Sequence, residues 1–179
     1  MNPAISDLME LLPIQGPPAK EGQVAKAIRD RLVQMGVPDD KITHDSAQEQ
    51  SEYGGEVGNM IVQIDGRAGQ PRLLFSTHMD TVPIAVGCQP RLDLEQNRVV
   101  NDAEGCALGG DNRLGCAVLL HLARELLSRS GDHPPITLVF FVQEDDPRVP
   151  RGRRPCGGSR SLRVRAFRQT RGTGQLQFR

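Results

Sequence analysis

The stretch that most constrains the fold is Ile136-Thr137-Leu138-Val139-Phe140-Phe141-Val142, an unbroken apolar run rich in β-branched and aromatic residues. A strand with one wet face alternates polar and apolar residues. A run without alternation predicts a central strand covered on both faces, the strand type of layered α/β proteins. What precedes it supplies the layers. Ile5, Leu8, Met9 and Leu12 recur at helical spacing and stop at Pro13. Val24, Ile28, Leu32 and Met35 line one face of a second helix that Gly36 ends. Residues 37–58 read as connection with at most a short strand near Ile42. Asn59 to Ile64 is a strand, Asp65-Gly66 a turn, and Arg72 to Thr77 the next strand, with Leu73 to Ser76 expected to be buried. The pair fits a hairpin or neighbouring strands. After an irregular stretch with a short strand at Arg98 to Asn101, a helix is expected from about Arg113 to Arg129. Its apolar stripe would be Leu114, Ala117, Val118, Leu120 and Leu127. The order helix, helix, strand, strand, helix, strand predicts an α/β sandwich with a mixed sheet.

Three polar clusters occupy comparable places in this order. His78 and Asp80 follow a strand, Asp111 lies in a Gly-rich turn before a helix, and Gln143-Glu144-Asp145-Asp146 follow the central run. In open α/β sheets functional groups gather beyond the carboxyl ends of strands. His78 and Asp80, two residues apart in extended chain, point the same way. A carboxylate bonded to an imidazole is the arrangement that orients a metal-ligating histidine. One His, a separate Asp and a carboxylate pair suit zinc or a similar divalent metal. Taken singly, Asp111 before a helix is more often an N-cap, and Glu144 to Asp146 after a strand is usually a solvated turn. The three together favour a site.

The motifs Ser76-Thr77-His78-Met79-Asp80-Thr81-Val82-Pro83, Leu108-Gly109-Gly110-Asp111-Asn112-Arg113-Leu114-Gly115 and Phe141-Val142-Gln143-Glu144-Asp145 resemble those of the co-catalytic zinc exopeptidases. Within them the resemblance is greatest to the peptidase T (tripeptide aminopeptidase) branch, related to carboxypeptidase G and acetylornithine deacetylase. It covers about residues 3–146. It implies a partial α/β/α catalytic domain, two zinc ions, a small peptide substrate and an aminopeptidase reaction. Position by position, His78 resembles the ligand of one zinc and Asp80 the residue that orients it. Asp111 resembles the aspartate bridging both metals, Glu144 the general base, and Asp145 the acidic ligand of the other zinc. Peptidase T-like proteins usually carry Glu at that last position, one methylene longer.

Charge divides the chain sharply. All 22 acidic residues lie at or before Asp146, giving residues 1–146 a net charge of −10 and residues 147–179, with ten Arg and no Lys, a net of +10. The later segment also lacks His, so it cannot supply the further Asp and His ligands that the resemblance leads one to expect. The lid or dimerisation domain is missing with them, so a homodimer is expected only where that domain is present. The reading is therefore of a catalytic-domain portion at 1–146, truncated and inactive in this form, followed by an Arg-rich tail expected to be disordered. The tail's abrupt start inside a motif is what a shifted reading frame would produce. The alternative is a non-catalytic protein whose Arg-rich tail binds nucleic acid; the scarcity of aromatic residues there (Phe167 and Phe178 only) and the absence of a recognisable module weigh against it. No apolar run approaches a membrane span, the N-terminus lacks a basic signal region, and Cys88, Cys106, Cys116 and Cys156 form no Cys-x-x-Cys pair. The expected setting is the cytoplasm, without membrane contact.

Overall fold

The computed structural model describes residues 2–129 and 131–145, with two short strands at 168–169 and 176–177. The chain forms two units, Met1–Val149 and Pro150–Arg179. In the second, β7 (Arg168–Gln169) pairs antiparallel with β8 (Leu176–Gln177). The expectation of a disordered tail otherwise falls outside the described residues.

The first unit begins with α1 (Pro3–Leu11), capped by the Asn2 side chain accepting from the Ala4 amide at 2.9 Å. Helix α2 (Gly22–Gln34) follows and buries Val24, Ala25, Ile28 and Leu32. Strands β1 (Ile42–His44), β2 (Met60–Ile64) and β3 (Leu73–His78) come next, then an antiparallel pair of β4 (Pro90–Asp93) and β5 (Arg98–Asn101). The long α3 (Gly110–Ser128) leads to β6 (Ile136–Phe141).

The main sheet has the order β1-β2-β6-β3, antiparallel at β1/β2 and β2/β6 and parallel at β6/β3. It is mixed, as expected, and Ile136 to Phe140 are buried throughout. One face, formed by Met60, Val62, Ile64, Ile136, Leu138 and Phe140, packs with Val24, Ile28, Leu32, Cys116, Leu120 and Ala123 of the helices into one core. The three helices are also joined by charge. Buried Asp7 of α1 forms an ion pair with Arg31 Nε of α2 at 3.2 Å and accepts from Arg124 Nη2 of α3 at 2.8 Å.

Three expectations are corrected. Strands β2 and β3 are not neighbours, because β6 lies between them. Leu73, Leu74 and Phe75 are not buried but 43%, 40% and 40% exposed, since β3 pairs with β6 alone among the described residues. On α3, Leu114 and Val118 are exposed; the buried face runs through Arg113, Cys116, Ala117, Leu119, Leu120, Ala123 and Leu126. Arg113 can be buried because its guanidinium donates to two main-chain carbonyls, Met79 O and, at 2.9 Å, Ile14 O. Burial lowers its pKa, opposed by neighbouring negative groups.

Candidate metal centre

Strands β3 and β6 run parallel with His78 opposite Phe141, so their carboxyl ends finish side by side. Past those ends the Met79 amide donates to Phe141 O at 2.7 Å, and the chain turns into Asp80 and Thr81. The start of α3 is brought to the same place by Thr81 Oγ1, which donates to Asp111 O at 2.9 Å. Cys116 Sγ, one turn further along α3, lies 3.3 Å from His78 O. Asp111 and Asn112 depart from helical backbone angles, and the peptide bond between them is cis. Gly115 admits this approach, since a Cβ there would collide with Thr77 Oγ1 and the Asn112 side chain.

His78, Asp80, Asp111 and Glu144, taken from three places in the sequence, meet here. The His78 ring lies between two carboxylates, with Nδ1 3.2 Å from Asp80 Oδ1 and Nε2 3.1 Å from Asp111 Oδ1. Glu144 Oε2 is 3.9 Å from the same Nε2. Asp80 is completely buried, whereas the Asp111 side chain is 70% exposed. A carboxylate oxygen accepts, so this arrangement favours the protonated imidazole, in which both ring nitrogens donate. Burial opposes that charge, but the Asp80 hydrogen bond and the negative charges of Asp80, Glu144 and Asp111 outweigh it. The His78 pKa therefore lies above the ordinary histidine value.

Asp80 also builds the neighbouring turn. Its Oδ1 accepts from the Glu144 amide at 3.1 Å and its Oδ2 from the Asp145 amide at 2.9 Å. One buried carboxylate thus orients the histidine and fixes the two acidic residues that follow β6. Asp145 is buried. A further buried carboxylate, Glu21 just before α2, was not singled out by the sequence. Burial raises its pKa, and Asp80's negative charge adds to this.

The donor chemistry fits a divalent metal in kind. An imidazole nitrogen faces carboxylate oxygens, and its other nitrogen is held by a buried carboxylate. Replacing the Nε2 proton with a metal would use the same lone pair. Among the described residues, no group of three or more His, Cys, Asp or Glu side chains is arranged to hold a metal ion.

Residues 59–166, which carry this whole constellation, match the model of peptidase family M28. The chain belongs to that family. The family is one of peptidases. A tripeptidase from Staphylococcus aureus superposes with a TM-score of 0.68 at 20% identity over 78% of this chain and 36% of its own. Aminopeptidase PepT from Bacillus cereus gives 0.69 at 24% identity over 79% and 36%. The Bacillus subtilis protein YqjE is 23% identical over 141 residues, 79% of this chain and 36% of YqjE. The chain therefore spans about a third of the length of these relatives. The solved structures share its fold, an α/β domain with a mixed sheet. No helix among the described residues is long and apolar enough to cross a membrane.

Proposed function

We propose that this chain carries part of the metal centre of a zinc-dependent, peptidase T-like aminopeptidase acting on short peptides. The observation that carries the reading is the His78 ring clasped between buried Asp80 and exposed Asp111, with Glu144 3.9 Å away. The fold shared with the tripeptidase and with PepT supports the substrate class. His78, Asp111 and Asp145 would hold the metal. Zinc bound there would supply Lewis-acid polarisation of the peptide carbonyl. Asp80 keeps the His78 ring turned with Nε2 outward and raises its basicity. Glu144, 41% exposed beside that nitrogen, accepts a proton from the attacking water and returns it to the leaving amine.

Residues 147–179 contain no Asp, Glu or His, so this chain offers at most two side-chain ligands to each of two ions, where catalytic zinc sites commonly use three. We accordingly propose weak metal binding and little or no turnover by the chain alone. The test is titration of the metal-free protein with Co²⁺, followed by visible absorption, for the wild type, His78→Ala and Asp111→Asn. Each substitution is expected to weaken binding at least about tenfold. Equal affinity in all three proteins would overturn the proposal.

A further inference from the structure

The turn bearing Glu144 and Asp145 is held by an unusual run of acceptors. Four consecutive amides past the end of β6 are each taken by a side-chain oxygen from another part of the chain. Val142 N donates to Asn59 Oδ1 at 3.0 Å and Gln143 N to Glu21 Oε1 at 3.0 Å. Glu144 N and Asp145 N donate to the two oxygens of Asp80. Gln143 is the residue in this run with strained backbone, at φ +56°, in the left-handed region that a residue with a Cβ rarely enters. Its side chain is pinned as well, accepting from Ser51 Oγ at 2.5 Å and donating to Gly54 O at 2.6 Å.

Glu21 is completely buried, and its Oε1 also accepts from the amide of Ala19 at 3.0 Å, another left-handed residue at φ +68°. Its Oε2 makes no hydrogen bond among the described residues. A buried carboxylate with one oxygen unpartnered is a poor device for stability, because its desolvation is only half compensated. It is a good device for holding amides in conformations they would otherwise leave. We propose that Glu21 is a positioning residue for the candidate site: by accepting the Gln143 amide it fixes the turn on which Glu144 and Asp145 stand. The inference rests on the metal-centre reading above only for its functional consequence; the hold on Gln143 stands on the hydrogen bonds alone.

The experiment uses the whole chain and two readouts, amide hydrogen exchange by NMR and Co²⁺ titration, on the wild type, Glu21→Ala, Glu21→Gln and His78→Ala. In Glu21→Ala the Gln143 amide should exchange at least about tenfold faster while those of Leu138 to Phe140 are unchanged, and Co²⁺ affinity should fall about tenfold. Glu21→Gln keeps an acceptor oxygen and should hold both quantities to within about threefold of wild type. Unchanged Gln143 exchange in Glu21→Ala overturns the proposal, as does equal acceleration of every β6 amide, the mark of simple destabilisation. Unchanged Co²⁺ affinity with a freed Gln143 removes the positioning role. If Glu21→Ala does not fold, Glu21→Gln decides: the weaker acceptor should move the Gln143 amide proton upfield and leave Val142 in place, and no movement overturns the proposal. If His78→Ala binds Co²⁺ as well as the wild type does, the metal-centre reading fails, while the exchange data still decide whether Glu21 holds the turn.

Discussion

Replacing Asp80 with Ala should be among the most damaging single changes in the first unit. The carboxylate is fully buried and meets three donors: the His78 ring at 3.2 Å, the Glu144 amide at 3.1 Å and the Asp145 amide at 2.9 Å. A hydrogen bond to a charged group contributes about 1.5–3 kcal/mol, so three taken separately give roughly 4.5–9 kcal/mol. They share one acceptor and are not additive, and removing the carboxylate also relieves its own desolvation. Breaking a buried charged network by deleting one member typically costs about 3–5 kcal/mol, which is the expected loss here. At about 2–4 °C per kcal/mol for a domain of this size, the midpoint should fall by roughly 10 °C. Urea unfolding of the metal-free chain is the assay. The midpoint concentration should drop with little change in slope, while the control Val118→Ala, at a 54% exposed position, stays within about 0.5 kcal/mol of wild type. Asp80→Asn should lose most of the same stability, because its amide nitrogen would face a donor. A loss below about 1 kcal/mol in Asp80→Ala would refute the claim that this carboxylate holds the turn.

Other outcomes follow from the same geometry. The raised His78 pKa means that its contribution to stability is fully present below the unfolded value of about 6.5 and is lost as pH rises through the folded value. An NMR titration of the metal-free chain should place its midpoint above that of a free histidine and bring it down in Asp80→Ala. Because metal binding must displace the Nε2 proton, Co²⁺ affinity should rise with pH over the same range. Burial pushes the Cys116 thiol up to about 12, so in the native protein iodoacetamide should label the partly exposed Cys106 well before Cys116, as peptide mass mapping would show. The purified 179-residue chain should show no appreciable aminopeptidase activity on di- or tripeptides with added zinc. Turnover abolished by Glu144→Gln would contradict the ligand argument.

Much of the fold was legible because its strongest signals are local. Burial on both faces removes alternation from Ile136 to Phe140, and that run is the central strand. Leu73 to Phe75 looks the same in sequence but lies at the edge of the sheet among the described residues, because the number of neighbouring strands is not a local property. The insertion of β6 between β2 and β3 was equally hidden, since Asp65-Gly66 invites a hairpin and the long-range pairing leaves no mark there. Pro90 to Asp93 is too polar to have announced β4. The α3 stripe was misplaced because an Arg on the buried face is unexpected until the carbonyls of Met79 and Ile14 are seen to receive it. In the candidate site, His78, Asp80, Asp111 and Glu144 were legible because each follows a strand or opens a helix. Glu21 was not, since a lone Glu before a helix reads as an ordinary first-turn acid, and only the fold carries it to Gln143.

The most direct test of the metal centre is the identity of the donor atoms. X-ray absorption at the zinc edge, on the chain loaded with zinc at neutral pH, reads them without requiring turnover. The geometry around His78 predicts a shell of nitrogen and oxygen at about 2.0–2.1 Å with the scattering of one imidazole, which disappears in His78→Ala. A sulfur shell near about 2.3 Å, or an imidazole signal that survives His78→Ala, would place the metal elsewhere and contradict the account.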